Sequence, residues 1–224
     1  MMDINCDIGE VLELIEDGSQ EALMPYLTSV NIACGGHAGD SRMMRISVDQ
    51  ATQYGLQIGA HPGYPDPANF GRLELDMPFP AVEQFVYEQI CALAAVTKHI
   101  SHVKPHGALY NQAVKNRGLA QAIALGTAHF SRDVTLVGLA GSQMLAVFQE
   151  EGFRVSAEAF ADRRYEMDGT LRSRKFADAL ILDPEEAANQ AVRIAQSRMA
   201  DTICIHGDTP GALAIATAVA KALR

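Results

Sequence analysis

Residues 102–111 read His-Val-Lys-Pro-His-Gly-Ala-Leu-Tyr-Asn, which places an amine, an imidazole and a turn in one short stretch. Proline disfavours helix at the residue before it and fixes its own φ, and glycine admits the tight geometry needed to leave a strand and enter a helix. Pro105 and Gly107 therefore predict a strand-to-helix junction at which Lys104 and His106 meet. Parallel α/β folds keep their chemistry at the carboxyl ends of strands. The pattern recurs, because four of the seven histidines, His37, His61, His106 and His206, follow an expected strand and have glycine within two positions downstream. His99 and His129 lack this setting and read as helix-surface residues, and His102 reads as the start of a strand.

Carboxylates accompany these imidazoles at Asp7, Glu10, Asp40 and Asp208. Neutral imidazole and carboxylate are the usual ligands of a hydrolytic zinc or similar ion, and they serve equally as general acids and bases without metal. Asp7, His61 and His106 are the metal candidates, but the absence of H-E-x-x-H or another local ligand pair commits none of them. Lys104 with Arg72, Arg163 and Arg164 suggests an anionic substrate, and the helix expected after Asp208 offers its amino end to a carboxylate or phosphate. Neither G-x-x-x-x-G-K-[ST] nor G-x-G-x-x-G occurs, so any nucleotide is held unconventionally or on another chain. The expected catalytic set is Asp7, His61, Lys104, His106 and His206, with Asn5, Glu10, His37, Asp40, Arg72 and Asp208 binding substrate.

Strands are expected at 3–7, 30–34, 56–60, around Val103, and at 134–139, 155–160 and 202–205. Helices fall between them. Asp40 or Ser41 caps one, Gly141-Ser142 precedes another, Pro184 with Glu185 and Glu186 opens a third, and Asp208 or Thr209 caps the last. Val82, Phe85, Val86, Ile90 and Leu93 mark one face of a long helix after Pro80. Residues 161–169 form a charged loop of lid or recognition composition. Strand alternating with helix implies parallel βα units, and polar residues after nearly every strand favour a seven-stranded (β/α) barrel over an open sheet.

A chain of 224 residues with 48% hydrophobic content fits one domain over its whole length. Its net charge of −9 and lack of long basic runs argue against nucleic acid and anionic membrane, leaving small molecules or protein partners. No leader composition and no bilayer-length apolar run is visible, so the expected location is the cytoplasm. Cys6, Cys34, Cys91 and Cys204 lie far apart without C-x-x-C and read as reduced thiols.

These blocks together resemble the LamB/YcsF family. The resemblance runs from Asp3 to about Ala214 and rests on Asn5-Cys6-Asp7-Ile8-Gly9-Glu10, His37-Ala38-Gly39-Asp40 and Gly59-Ala60-His61-Pro62-Gly63-Tyr64. It continues through Phe70-Gly71-Arg72, Val103-Lys104-Pro105-His106-Gly107, Phe160-Ala161-Asp162-Arg163-Arg164-Tyr165 and His206-Gly207-Asp208. It implies a barrel related to the glycoside hydrolase/deacetylase class. It also implies a role as the A component of an ATP-dependent 5-oxoprolinase, which cleaves 5-oxo-L-proline to L-glutamate with subunits B and C. ATP and its Mg2+ then belong mainly to the partners; Lys104 or an arginine meets the substrate carboxylate, Asp7 or His61 is the base, and His106 or His206 the acid. Gly36, Val11-Leu12-Glu13, Asn69 and Leu73 depart from the family pattern. A metal-dependent deacetylase or amidase and a non-catalytic subunit that presents substrate are the competing readings. Homo-oligomer formation is left open.

Overall fold

The structure, a computed structural model, describes residues 2–224. In chain order the strands are β1 (Asp3–Ile8), β2 (Ser29–Ala33), β3 (Gln57–His61), β4 (His102–Val103), β5 (Thr135–Leu139), β6 (Arg154–Phe160) and β7 (Thr202–His206). All pair in parallel, each with the next, and β7 closes on β1 with Asn5 opposite Cys204 and Asp7 opposite His206. The closed seven-stranded barrel is therefore the architecture. Strand bounds differ from the sequence expectation by a residue or two, and β4 is only two residues long.

The surrounding helices are α1 (Leu12–Glu16), α2 (Ser19–Leu23), α3 (Ser41–Gln53), α4 (Phe79–Ala94), α5 (Gly107–Ala113), α6 (Arg117–Phe130), α7 (Gln143–Glu150), α8 (Pro184–Ser197) and α9 (Ala212–Leu223). Local chemistry sets their ends. Asp40 accepts from Arg42 N and Met43 N, each at 2.8 Å, to open α3, which buries Met44, Val48 and Ala51. Ser142 caps α7, and Asp183 caps α8 ahead of Pro184. On α4 the expected face, Val82, Phe85, Val86, Ile90 and Leu93, is buried. The expectation for α9 fails. Its N-cap is Gly211 at φ 80, because the Thr209 hydroxyl is already donating to Asp162 at 3.0 Å. His129 lies exposed on α6 beside Glu83, whereas His99 stands in the loop after α4 rather than on a helix.

The bore of the barrel is polar, where such barrels commonly carry layers of branched apolar side chains. Toward the amino ends of the strands the Asp3 carboxylate accepts hydroxyl bonds from Thr28, Ser29 and Thr202. Around it lies a chamber of about 180 Å3 lined also by Asn5, Asn31, His102, Thr135 and Ser156. His102 donates from Nε2 to Asn31 Oδ1 at 2.8 Å and meets the Ser101 hydroxyl through Nδ1. The ring fits only because residue 59 is glycine; a Cβ there would overlap His102 Nε2.

Burial pushes the His102 imidazole down to about 4. The unfolded chain therefore binds the extra proton first, and His102 makes stability fall as pH drops from about 6.5 toward 4. Urea unfolding at pH 7.5 and 4.5 checks this: His102→Gln loses about 2–3 kcal/mol less over that step than the parent chain. Equal losses in the two proteins would refute it.

Candidate functional site

The expected histidines converge where β1, β2, β3, β4 and β7 end. Asp7 comes from β1 and Glu10 from the turn behind it, His37 from the loop after β2, His61 from the last position of β3, His106 from beyond Pro105, and His206 from the end of β7. His61 Nε2 lies 3.0 Å from His106 Nδ1 and 3.3 Å from Asp7 Oδ2. Glu10 Oε1 is 3.0 Å from His37 Nε2 and 3.1 Å from His106 Nδ1. The rings of His37 and His106 stack in parallel, with centroids 3.6 Å apart.

Backbone carbonyls fix two of the tautomers. His61 donates from Nδ1 to Lys104 O at 2.7 Å, and His106 donates from Nε2 to Phe70 O at 2.9 Å. Their other nitrogens then face each other and the carboxylates as lone pairs unless a cation lies between. A proton on His61 answers part of this. Burial disfavours its imidazolium, but Asp7 and Glu10 outweigh burial and raise it above the ordinary histidine value. Burial pushes His37 down to about 3 and also lowers His106, so of these three imidazoles His61 is the one whose surroundings favour charge. Burial also works against ionising Asp7, yet the His61 and Lys104 charges hold its carboxyl well below the usual carboxylate range. Glu10 Oε1, His37 Nε2, His61 Nε2 and His106 Nδ1 form a group able to hold a metal ion, and Asp7, Cys204 and His206 form a second.

Lys104 does not face the mouth. It is buried in the bore and donates to Asp7 Oδ1 at 2.9 Å, Asn5 Oδ1 at 3.2 Å and Cys204 Sγ at 3.2 Å, and it pairs with Glu158 at 2.8 Å. Asn5 is spent in the same network, giving its amide protons to Glu158 and Thr202. Asn31 donates to both Asn5 and Asp7 at 2.8 Å. Neither Lys104 nor Asn5 has a bond left over for an arriving carboxylate.

His206 stands at the rim with Nδ1 donating to Asp162 Oδ1 at 2.9 Å, which leaves Nε2 as its working nitrogen. Asp162 also accepts from His206 N and Thr209 Oγ1 and is held low, against burial, by His206. Arg72 and Asp208 pair at 2.6 Å, joined by Arg174 at 3.1 Å. A narrow cleft with a volume of about 20 Å3, lined by Asp7, Glu10, Val11, Leu14, Gly207 and Asp208, opens beside the cluster. Asp40 is not in it, since its exposed carboxylate is occupied as the α3 cap. Arg164 points away to Glu186, while Arg163 is buried against Arg172 O. The charged loop expected at 161–169 belongs to a longer segment, with bridges Arg163↔Leu180 and Tyr165↔Leu171.

Glu158, Asp162, Asn31 and Arg174 have no assigned role in the sequence reading. A lone glutamate in apolar β6 is the available signal for Glu158. One departure from the family pattern is explained: a Cβ on Gly36 would overlap the Gln89 side chain, whose amide clamps both Gly63 N and Gly63 O.

The comparisons with known proteins bear on family and fold. The LamB/YcsF family model matches residues 2–224. The chain belongs to the LamB/YcsF family. A Chloroflexus aggregans protein named as the A component of 5-oxoprolinase is 45% identical over 99% of this chain and 94% of its own length. A Bacillus licheniformis protein of the same name is 43% identical over 100% and 94%. The solved lactam utilization protein from Thermus thermophilus superposes with a TM-score of 0.89 at 36% identity, covering 99% of this chain and 95% of that one. No helix among the described residues is long and apolar enough to cross a membrane.

Lys104→Met leaves Asp7 and Glu158 facing each other without a buried cation. It is expected to lower unfolding free energy by about 3–5 kcal/mol in urea titration. A loss below about 1 kcal/mol, the range of an exposed pair, would show that the network is not stability-bearing.

Proposed function

We propose that this chain is the ring-opening component of an ATP-dependent 5-oxoprolinase, acting with partner subunits B and C on 5-oxo-L-proline. The observation that carries the reading is the junction of a carboxylate–imidazole cluster, Asp7, Glu10, His37, His61 and His106, with a small cleft that Asp7 and Glu10 share with Gly207, the neighbour of His206, and Asp208, the partner of Arg72. A cyclic amide needs a proton taken from water and a proton given to its nitrogen, and the names of the relatives point to a lactam.

Unstrained amides resist water, so ATP first phosphorylates the lactam oxygen on the partner subunits, which hold the nucleotide and its Mg2+. On this chain His206 Nε2, backed by Asp162, takes a proton from water as the water oxygen bonds to the lactam carbon. The C–N bond then breaks, the electron pair stays on nitrogen, and His61 Nε2 returns a proton to it. A second water releases phosphate, so 5-oxoproline, ATP and two waters give glutamate, ADP and phosphate. These roles reverse the expected base and acid. His61 holds the proton at rest, and Asp162 orients His206 for acceptance. Asp7 keeps His61 charged, while Lys104 positions Asp7.

One observation favours a second reading, a metal-assisted amidase. With His106 Nε2 committed to Phe70 O, the acceptors His106 Nδ1 and Glu10 Oε1 still face each other at 3.1 Å, and a divalent ion on Glu10, His61 and His106 would satisfy both. When bound, such an ion acidifies water and polarises a carbonyl.

Glutamate release from the three purified subunits with ATP, omitting each in turn, tests the proposal. Release should require all three, and turnover by this chain alone with metal but without ATP would favour the second reading. His61→Ala and His206→Ala should each lower kcat by about 10²–10⁴-fold while co-purification with the partners persists. Unchanged turnover in both variants would make the chain a presenting scaffold.

A further inference from the structure

At the rim, the structure gathers more guanidinium than its own carboxylates engage. Arg72, from the loop after β3, and Arg174, from the segment between β6 and α8, donate to one and the same oxygen, Asp208 Oδ2, at 2.6 and 3.1 Å. A guanidinium carries five N–H donors, so a single shared oxygen leaves most of the two forks open. Their side chains are 39% and 25% exposed, within reach of a solute. Arg163 lies beneath them, only 5% exposed; Nη2 donates to Arg172 O at 2.7 Å and its buried Nε has no partner. Burial and then the nearby Arg174 charge push Arg163 down to about 10, which still leaves it a cation at neutral pH. The nearby carboxylates are already taken, Asp162 by His206 and Thr209, Asp7 by Lys104 and His61, and Glu10 by His37 and His106.

We propose that Arg72, Arg163 and Arg174 form a phosphoryl site, so that this chain receives the phosphorylated lactam rather than 5-oxoproline itself. The proposal rests on the function given above and specifies its substrate. A carboxylate brings one charge and two oxygens, whereas a phosphoryl group brings between one and two charges and three strong acceptors. Arginine forks match that geometry through parallel N–H···O bonds. Asp208, which both Arg72 and Arg174 engage, lines the same cleft as Asp7 and Glu10, so one residue joins the arginines to the carboxylates of the cluster. Arg72 is tied to that cluster, because it covers the Phe70 ring at 4.7 Å and the Phe70 carbonyl holds His106.

The test is isothermal titration of the full chain with inorganic phosphate and, separately, with 5-oxoproline. Phosphate should bind at one site, and Arg72→Ala and Arg174→Ala should each weaken it about tenfold or more, the weight of one charge-assisted bond. Arg174→Lys keeps the charge but loses the fork and should fall between, and Arg164→Ala, on the far salt bridge with Glu186, should bind as the parent does. Absence of phosphate binding, or equal binding by all variants, overturns the site. If 5-oxoproline binding is lost in Arg72→Ala and Arg174→Ala while phosphate has no effect, the arginines hold a carboxylate and the proposal fails. Glutamate release by the three subunits is scored apart: phosphate binding without release sinks the function and keeps the site, and release without phosphate binding does the reverse.

Discussion

A buried ammonium group organises this barrel. Lys104 carries a full charge into the bore, where an uncompensated ion is strongly disfavoured, and it is tolerated because Asp7, Glu158, Asn5 and Cys204 all turn toward it. Those partners come from β1, β6 and β7, while Lys104 follows β4, so the contact spans the barrel and ties its opposite walls together. Against burial, His61 and then this ammonium favour the ionised Asp7, Asp7 in turn favours charge on His61, and His61 meets His106 and Glu10. The chemistry at the mouth is thus the upper end of an electrostatic column.

Much of the mouth is legible in the sequence because imidazoles sit next to glycine at strand ends, a pattern that needs no tertiary information. His37, His61, His106 and His206 all fall where that pattern places them, and the closed barrel follows from the need to bring them together. Lys104 departs from its expected place for a definable reason. A residue just beyond a strand can point up into the loops or down the bore, and its two-residue spacing from inward-facing His102 is the evidence for down. Asp40 offers two uses, a ligand and a helix cap, and the adjacent start of α3 consumes it. Asp162 and Arg174 are hidden because their partners, His206 and Asp208, lie 44 and 34 residues away.

Glycine at two places decides what else can be present. At residue 59 it admits the His102 ring, and at residue 36 it admits the Gln89 amide that fastens the loop after β3. A larger side chain at position 36 and the Gln89 clamp would compete for one volume, so the glycine there is a condition of this loop fastening.

Asn5 and Asn31 border the lower chamber and at the same time bond Lys104 and Asp7 above. The bore resembles a flask with two necks, and a ligand seated among the histidines stoppers only one. The lower chamber reaches Asn5 and Asn31 but not the ammonium itself, which stays enclosed between the two openings. Asp7 is thus gripped from two poles, by Lys104 and Asn31 from within the bore and by His61 from the mouth, so only the second hold changes with whatever occupies the mouth.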